Sequence, residues 1–80
     1  MKYVYLLESI PKPDKRYIGL TNNLNQRLKE HNAGKSPHTN KYKPWKTVVV
    51  IHFNDDRRAE AFEKYLKNGS GHAFAERHFW

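Results

Sequence analysis

The first twenty residues hold two short apolar runs separated by a turn, and this pattern limits the fold more than any other feature. The first run, Tyr3 to Leu7, is apolar at every position, which is typical of a strand buried on both faces. The stretch SIPKPDK then supplies two prolines and an aspartate for a turn, and the second run extends from Arg16 to Leu20. Because the connection is so short, the two runs are predicted to form an antiparallel hairpin.

A first helix is predicted after the hairpin. Leucines recur every four residues from Leu20 to Leu28, and Asn23 followed by Gln26 resembles a capping box. Gly34 is the expected stop, since glycine readily adopts the left-handed conformation that ends many helices. The next ten residues, KSPHTNKYKP, form a polar and basic loop.

The second half of the chain is predicted to add one strand and two helices. The run TVVVIHF, from Thr47 to Phe53, is rich in β-branched residues and is the clearest strand. The stretch from Asn54 to Asp56 offers caps for a helix that continues through Asn68. The segment NGSG interrupts it, and HAFAERHFW is expected to form a short terminal helix that places one or more aromatic residues on the core: Phe74, Phe79 or Trp80.

This order, β-β-α-β-α-α, predicts an α+β fold in which helices flank a three-stranded antiparallel sheet. Residues 1–80 are expected to form a single domain. So short a chain supplies one small core and leaves no room for a large cofactor cleft.

The composition restricts the function. Fifteen lysine and arginine residues against eight acidic ones give a net charge of +7, which favours a polyanionic partner such as nucleic acid. Because the chain has no cysteine, it has no disulfides, thiolate nucleophiles or Cys-based zinc sites. The apolar run at the N-terminus is too short for a signal peptide or a membrane span, so we expect a cytoplasmic protein that does not enter membranes.

Three charged positions on the predicted helices have both a structural and a chemical interpretation. Glu63 lies at the edge of the apolar stripe of the second helix, where it either pairs with Lys67 or holds a hard cation together with water and phosphate oxygens. Arg27 and His31 share one face of the first helix. They form either an ordinary basic edge, or a phosphate contact beside a group that holds or moves a proton.

The tyrosines of the hairpin have a strong structural explanation. Tyr3, Tyr5 and Tyr17 are good strand residues, and core packing alone accounts for them. A phenol has an ordinary pKa near ~10, so a tyrosine acts as a base at neutral pH only where a cation or a metal favours the phenolate. Arg27 is the candidate cation.

Together, these residues resemble the GIY-YIG endonuclease superfamily. The second strand carries YIG, from Tyr17 to Gly19, and the first motif reads YVY, from Tyr3 to Tyr5, where the family has Gly-Ile-Tyr. Arg27 on the following helix and Glu63 on the helix after the third strand complete the pattern. The resemblance covers nearly the whole chain, which looks like the short stand-alone bacterial members.

The resemblance implies an endonuclease that hydrolyses DNA phosphodiester bonds with a divalent metal, Mg²⁺ or Mn²⁺. It implies that Tyr5 and Tyr17 face one pocket with Arg27 and that Glu63 holds the metal. His31, a further catalytic candidate, matches a position that is also histidine in some family members. A water would attack in line while a tyrosine or a metal-bound hydroxide takes up its proton, and Arg27 would neutralise charge on the phosphate. Tyr5 and Tyr17 are equal candidates for the base. We expect the helices that carry Arg27 and Glu63 to pack on the same face of the sheet.

The sequence allows more than one interpretation of a further polar site residue, of the function and of the partner. A further polar residue of the family, often asparagine, has Asn40 and Asn68 as candidates. The alternative function is a nucleic-acid-binding module with little or no catalytic activity, in which Tyr42 or Trp45 stacks on bases. We expect a monomer that acts on DNA in repair or recombination with structure or weak sequence selectivity, and RNA or a protein partner remains an alternative. The basic residues expected to bind phosphates are Lys35, Lys41, Lys43 and Lys46.

Overall fold

The computed structural model describes residues 2–35, 37 and 39–80, and the order of its elements is the predicted one. The strands are β1 (Lys2–Ser9), β2 (Arg16–Thr21) and β3 (Trp45–Phe53). The helices are α1 (Leu24–Asn32), α2 (Asp56–Lys67) and α3 (Gly69–His78). A short 3₁₀ turn, Asn40–Tyr42, lies in the predicted basic loop, of which Ser36 and His38 fall outside the described residues.

The three strands form an antiparallel sheet in the order β2-β1-β3. Because β1 is the central strand, its backbone is paired on both sides, and its residues Val4 to Leu7 are 0% exposed. The hairpin register places Tyr5 opposite Gly19 and Leu7 opposite Tyr17. The prediction of a hairpin whose first strand is buried on both faces is therefore confirmed.

The helices divide between the two faces of this sheet. Successive side chains of a strand point to opposite faces. Val4 and Leu6 pack in one cluster with residues of α2 and α3, whereas Tyr5 and Leu7 pack in another with Leu24 and Leu28 of α1. The expectation that α1 and α2 share one face is therefore wrong. Because β1 has apolar side chains on both faces of the sheet, helices must pack on each face.

The predicted ends of α1 are confirmed. The Asn23 side chain accepts a hydrogen bond from the Gln26 backbone N–H at 3.2 Å, which caps the first turn. The helix ends at Asn32, and Gly34 follows with a φ of +78°, the left-handed conformation that closes a helix. At the start of α2, Asp55 plays the same capping role by accepting from Arg57 N–H at 2.8 Å.

Two boundaries differ from the prediction. β3 begins at Trp45 instead of Thr47. The break between α2 and α3 is confined to Asn68, so Gly69 and Gly71 lie inside α3 rather than in an interruption. A Cβ on Gly71 would lie 1.6 Å from the Tyr65 carbonyl oxygen, so this glycine permits the close packing of α3 on the end of α2.

The terminal helix packs on the core as predicted. Phe74, Phe79 and Trp80 contact the cluster formed by Val4, Leu6 and residues of α2. Within the described part of the chain, each helix is too short or too polar to cross a membrane.

Candidate active site

The phenol of Tyr5 lies directly over the glycine of the YIG sequence. Tyr5 is 0% exposed, and a Cβ placed on Gly19 would be 2.3 Å from both Cζ and Oη of the Tyr5 ring. The backbone of Gly19 has no positive φ, so conformational freedom does not explain this glycine. It provides the space in which the Tyr5 hydroxyl lies.

A chain of buried hydrogen bonds continues from this hydroxyl. Tyr5 Oη lies 2.9 Å from Nε2 of His31, and Nδ1 of His31 lies 2.8 Å from the Thr39 hydroxyl. His31 is 0% exposed and Thr39 is 1% exposed. The carbonyl of Thr39 in turn accepts from the Trp45 indole N–H at 2.9 Å. The chain therefore links β1, α1, the basic loop and β3.

Tyr17 and Arg27 lie beside this chain, nearer the surface. The ring of Tyr17 is half-buried, with its centroid 4.9 Å from that of His31 and 6.1 Å from that of Tyr5. Arg27, one turn before His31 on α1, interacts with both tyrosine hydroxyls and donates to Glu30 Oε1 at 3.0 Å. Four of the predicted site residues are thus brought together: Tyr5, Tyr17, Arg27 and His31.

The burial of these groups sets their charge. Burial raises the pKa of Tyr5 to about 12, although the nearby Arg27 guanidinium opposes this shift. Burial also lowers the pKa of His31, and the positive charge of Arg27 lowers it further. Hydrogen bonding to Tyr5, and then to Glu30, raises the pKa of Arg27 above its already high value. At neutral pH the site therefore holds a neutral phenol, a neutral imidazole and a guanidinium cation.

Glu63 lies apart from these residues. It belongs to α2, which packs on the opposite face of the sheet, and its side chain is 16% exposed and paired with Lys67. Among residues 2–35, 37 and 39–80, no hydrogen bond or ion pair joins it to the four residues around Tyr5. No group of three or more His, Cys, Asp or Glu side chains placed for a metal occurs in that described part of the chain either. Glu63 is the carboxylate that the family resemblance assigns to a metal.

The predicted phosphate-binding lysines do not form one patch. Lys35, Lys41 and Lys43 are exposed in the segment between α1 and β3. Lys46 follows the inward-facing Trp45, projects to the other face of the sheet and pairs with Glu8 at 3.3 Å.

The two aromatic residues considered for base stacking are also restricted. Trp45 is 6% exposed and its indole is hydrogen bonded, so it has no free face for a base. Tyr42 packs on the cluster around Tyr5, with the Lys15 ammonium 5.5 Å from its ring centroid. The asparagine candidates remain unassigned: Asn40 starts the 3₁₀ turn near Gly34, and Asn68 joins α2 to α3.

Two residues of the site have no signal in the sequence that reveals them. Thr39 is one polar residue in a polar loop, and no periodicity marks it as buried. Asn32 accepts from the Trp45 backbone N–H at 2.6 Å and donates back to its carbonyl at 3.4 Å. This side chain fixes the start of β3 beside His31.

Two surface hollows lie at the end of β2. One, of about 180 Å³, is lined by Arg27, Glu30 and the residues that start α1. The other, of about 260 Å³, is lined by Lys2 and Leu20, and Leu20 packs on the α2 side of the sheet. Thr21 and Asn22 line both hollows, which are therefore neighbours at this edge of the sheet.

Comparison with known proteins assigns this arrangement to a family. A family model described as the GIY-YIG catalytic domain matches residues 1–75. The chain is 40% identical to the structure-specific endonuclease subunit SLX1 of Candida dubliniensis over 94% of its own length, but it spans only 27% of that relative. It is also 40% identical to a UPF0213 protein of Clostridium perfringens, with 84% of this chain and 71% of the relative covered.

A solved structure agrees with these matches. The solution NMR structure of the UPF0213 protein BH0048 from Bacillus halodurans superposes with a TM-score of 0.51 at 30% identity, covering 84% of this chain and 71% of that one. The matched fold confirms the predicted α+β class, and the catalytic-domain match together with the endonuclease relatives supports a nuclease function. The chain belongs to the GIY-YIG family.

Proposed function

We propose that residues 1–80 form a single nuclease domain that hydrolyses DNA phosphodiester bonds with the help of a divalent metal. The observation that carries this proposal is the grouping of a partly exposed guanidinium with two tyrosines, beside a fully buried hydrogen-bond chain. A planar cation in this position suits a phosphate, whose oxygens accept hydrogen bonds from its parallel N–H groups. The net charge of +7 favours the same substrate.

Arg27 is the group that we assign to the scissile phosphate. Its side chain is 38% exposed although it lies close to the buried Tyr5, so the guanidinium reaches solvent from well-ordered surroundings. As charge develops on the phosphate in the transition state, a preorganised cation stabilises it without reorganisation.

Tyr17 is a better candidate than Tyr5 for the phenol that accepts the proton of the attacking water. Tyr5 is 0% exposed, and with a pKa of about 12 only about one Tyr5 in 10⁵ is a phenolate at pH 7. Tyr17 is only half-buried and lies beside Arg27, so its hydroxyl is the one of the two that a water at the phosphate can reach. In this proposal Tyr5 and His31 position the other two residues and do not touch the substrate.

Glu63 is the residue that would hold the metal. One carboxylate is enough for Mg²⁺ or Mn²⁺ when water and phosphate oxygens supply the other ligands, so the donor set fits, provided that Lys67 turns away. A bound divalent ion would stabilise negative charge on the leaving oxygen.

The edge of β2 offers a route by which Glu63 and Arg27 can act on one phosphate. Glu60, one turn before Glu63, pairs with Lys2 at 3.5 Å, and Lys2 lines the hollow that neighbours the one beside Arg27. A DNA backbone that follows the two hollows would contact both faces of the sheet. Since several relatives are named structure-specific endonuclease subunits, we propose branched DNA as the substrate class.

Cleavage of labelled DNA tests the proposal. The purified chain is incubated with a branched DNA and with a linear duplex of the same sequence, in Mg²⁺, in Mn²⁺ or in excess chelator. We expect cleavage of the branched DNA only when a metal is present. Glu63→Gln and Arg27→Ala should each reduce the rate about 10²–10³-fold, whereas Glu60→Gln on the same helix should not. If both site variants cleave like the parent, this site assignment is wrong.

The tyrosine assignment has its own comparison. Tyr17→Phe should reduce cleavage about 10²–10⁴-fold, the usual effect of losing a general base. Tyr5→Phe should reduce it less, because the ring still fills the space above Gly19. A larger loss in Tyr5→Phe than in Tyr17→Phe would reverse the two roles.

A binding module with little catalytic activity is the second candidate. The ion pair between Glu63 and Lys67 favours it, since a carboxylate used as a metal ligand must leave that lysine. DNA binding that weakens steeply with salt, without cleavage in any divalent metal, would support this function. In that case Lys35, Lys41 and Lys43 would supply the phosphate contacts.

A further inference from the structure

We propose that Thr39 is a positioning residue for the active site, because its hydroxyl accepts a hydrogen bond from Nδ1–H of His31 and so selects the tautomer whose Nε2 accepts from the Tyr5 hydroxyl. The Thr39 hydroxyl lies 2.8 Å from Nδ1 of His31, and Thr39 is only 1% exposed. The catalytic consequence rests on the proposed function, whereas the hydrogen-bond arrangement does not.

Arg27 sets the direction of donation along the hydrogen bonds that join Tyr5, His31 and Thr39. Arg27 is a permanent cation close to the Tyr5 hydroxyl, and a positive charge favours the orientation of a hydroxyl in which its lone pairs face the cation. The O–H bond of Tyr5 then points away from the cation, towards Nε2 of His31 at 2.9 Å. Nε2 must therefore act as the acceptor.

The tautomer follows from the neutrality of His31. Burial and the charge of Arg27 both lower its pKa, so the imidazole is neutral at neutral pH and has one donor and one acceptor nitrogen. With Nε2 accepting, the proton is on Nδ1 and is donated to Thr39. The order of donation is Tyr5 to His31 to Thr39.

Other contacts hold Thr39 in place for this role. Its carbonyl accepts from the Trp45 indole, and the Trp45 backbone is held on both its N–H and its C=O by Asn32. Asn32 is the residue after His31 on α1, so the imidazole and the loop that faces it are fixed to each other. The position of the Thr39 hydroxyl thus depends on the same contacts that position the imidazole.

Loss of this hydroxyl would change the site without removing any residue that faces the substrate. A buried Nδ1–H without an acceptor is unfavourable, so the other tautomer gains population. Its Nε2–H would donate to the Tyr5 oxygen and compete there with Arg27. The guanidinium would then lose part of the contact that holds it at the surface.

The test combines tautomer measurement with a conservative rescue. Thr39→Val keeps the shape of the side chain and the carbonyl that binds Trp45, and Thr39→Ser restores a hydroxyl. Ring-nitrogen NMR of ¹⁵N-histidine-labelled protein at pH 8 reports the tautomer of His31. We expect Nδ1–H in the parent and in Thr39→Ser, and a mixture in Thr39→Val. Cleavage should fall about 10–100-fold in Thr39→Val, as for outer partners of histidine ligands, and recover in Thr39→Ser.

Ser9→Ala is the matched control. Ser9 is another fully buried hydroxyl, and it donates to the Tyr42 carbonyl at 2.6 Å. Its loss should lower stability while leaving the tautomer of His31 unchanged.

Two results would overturn the proposal: an Nε2–H tautomer in the parent, or a Thr39→Val protein with the parent's tautomer and rate. The first needs no variant, so it stands even if Thr39→Val does not fold. If the parent cleaves no DNA in any metal, the proposed function fails, and the tautomer still decides the role of Thr39.

Discussion

Both faces of the sheet are buried, but the side chains that fill them differ. On the α2–α3 face the fully buried residues are apolar, among them Val4, Leu6 and Leu66. On the α1 face Tyr5 is fully buried with a neutral histidine, and the two are hydrogen bonded. Every buried side-chain nitrogen or oxygen in the described residues has a partner.

The two kinds of burial have different roles: one stabilises the fold, and the other positions the side chains of the site. Apolar burial is non-directional, so the α2–α3 face tolerates exchange of one apolar side chain for another of similar volume. A buried polar chain is directional, and each member fixes its neighbours. We therefore expect changes to the buried apolar side chains of the α2–α3 face to act on stability, and changes to the buried polar chain of the α1 face to act on cleavage.

The largest effect on stability is expected on the apolar face. Leu66 is 0% exposed in the cluster with Val4 and Ala59, and Leu66→Ala should lower the free energy of unfolding by about 2–5 kcal/mol. Denaturant unfolding measures this loss. Cleavage at a temperature where the variant is folded should match that of the parent. A folded Leu66→Ala protein that cleaves poorly would contradict the division between the faces.

A smaller loss of stability with a larger loss of activity is expected at Gly19. A methyl group there would overlap the Tyr5 ring, so Gly19→Ala should cost about 1–3 kcal/mol and displace the phenol from His31. Thermal unfolding and cleavage are measured on the same samples. The control is Gly69→Ala at the start of α3, where a Cβ meets nothing within 4 Å. Equal behaviour of the two variants would disprove the role assigned to Gly19.

The buried histidine predicts a pH dependence of stability. Because the pKa of His31 is lowered in the folded state, the unfolded chain binds a proton near pH 6.5 that the folded chain does not. Stability should therefore be complete above that pH and fall as the pH drops below it, by at most about 1.4 kcal/mol per pH unit.

Denaturant unfolding between pH 5 and 8 measures this slope. The carboxyl of Glu30, whose pKa Arg27 lowers, titrates below that window. His31→Gln should reduce the slope. An equal slope in the parent and in His31→Gln would show that His31 is not responsible.

The smallest effect is expected from a surface ion pair on the apolar face. Arg16 donates to Glu76 at 2.7 Å, with both side chains partly exposed, so Glu76→Ala should change stability by about 0.2–1 kcal/mol. The loss should diminish in high salt. A loss above that of Leu66→Ala would mean that charge, not apolar burial, dominates this face.

Most of the fold could be predicted from the sequence because its signals are local. The apolar runs, the leucine spacing and the caps at Asn23 and Asp55 each depend on residues a few positions apart. The glycines of NGSG misled the prediction, because the close approach of α3 to α2 that Gly71 allows is a tertiary contact.

The site was predicted only in part. A hairpin and one helix turn bring Tyr5, Tyr17, Arg27 and His31 together, and those relations follow from register and helical spacing. The faces on which the helices pack do not follow from periodicity, so the prediction that α1 and α2 pack on one face was wrong. Thr39 enters the site through a loop fold that no sequence pattern specifies.

We propose that Glu63 and Arg27 act on one phosphate around the edge of β2. Crystals soaked in Mn²⁺ test this proposal, because anomalous scattering locates the ion independently of any assay. We predict manganese bound to the Glu63 carboxylate, with Lys67 turned away and the ion on the surface that carries Tyr17 and Arg27. A Glu63 that stays paired with Lys67, without manganese, at concentrations that support DNA cleavage would contradict it.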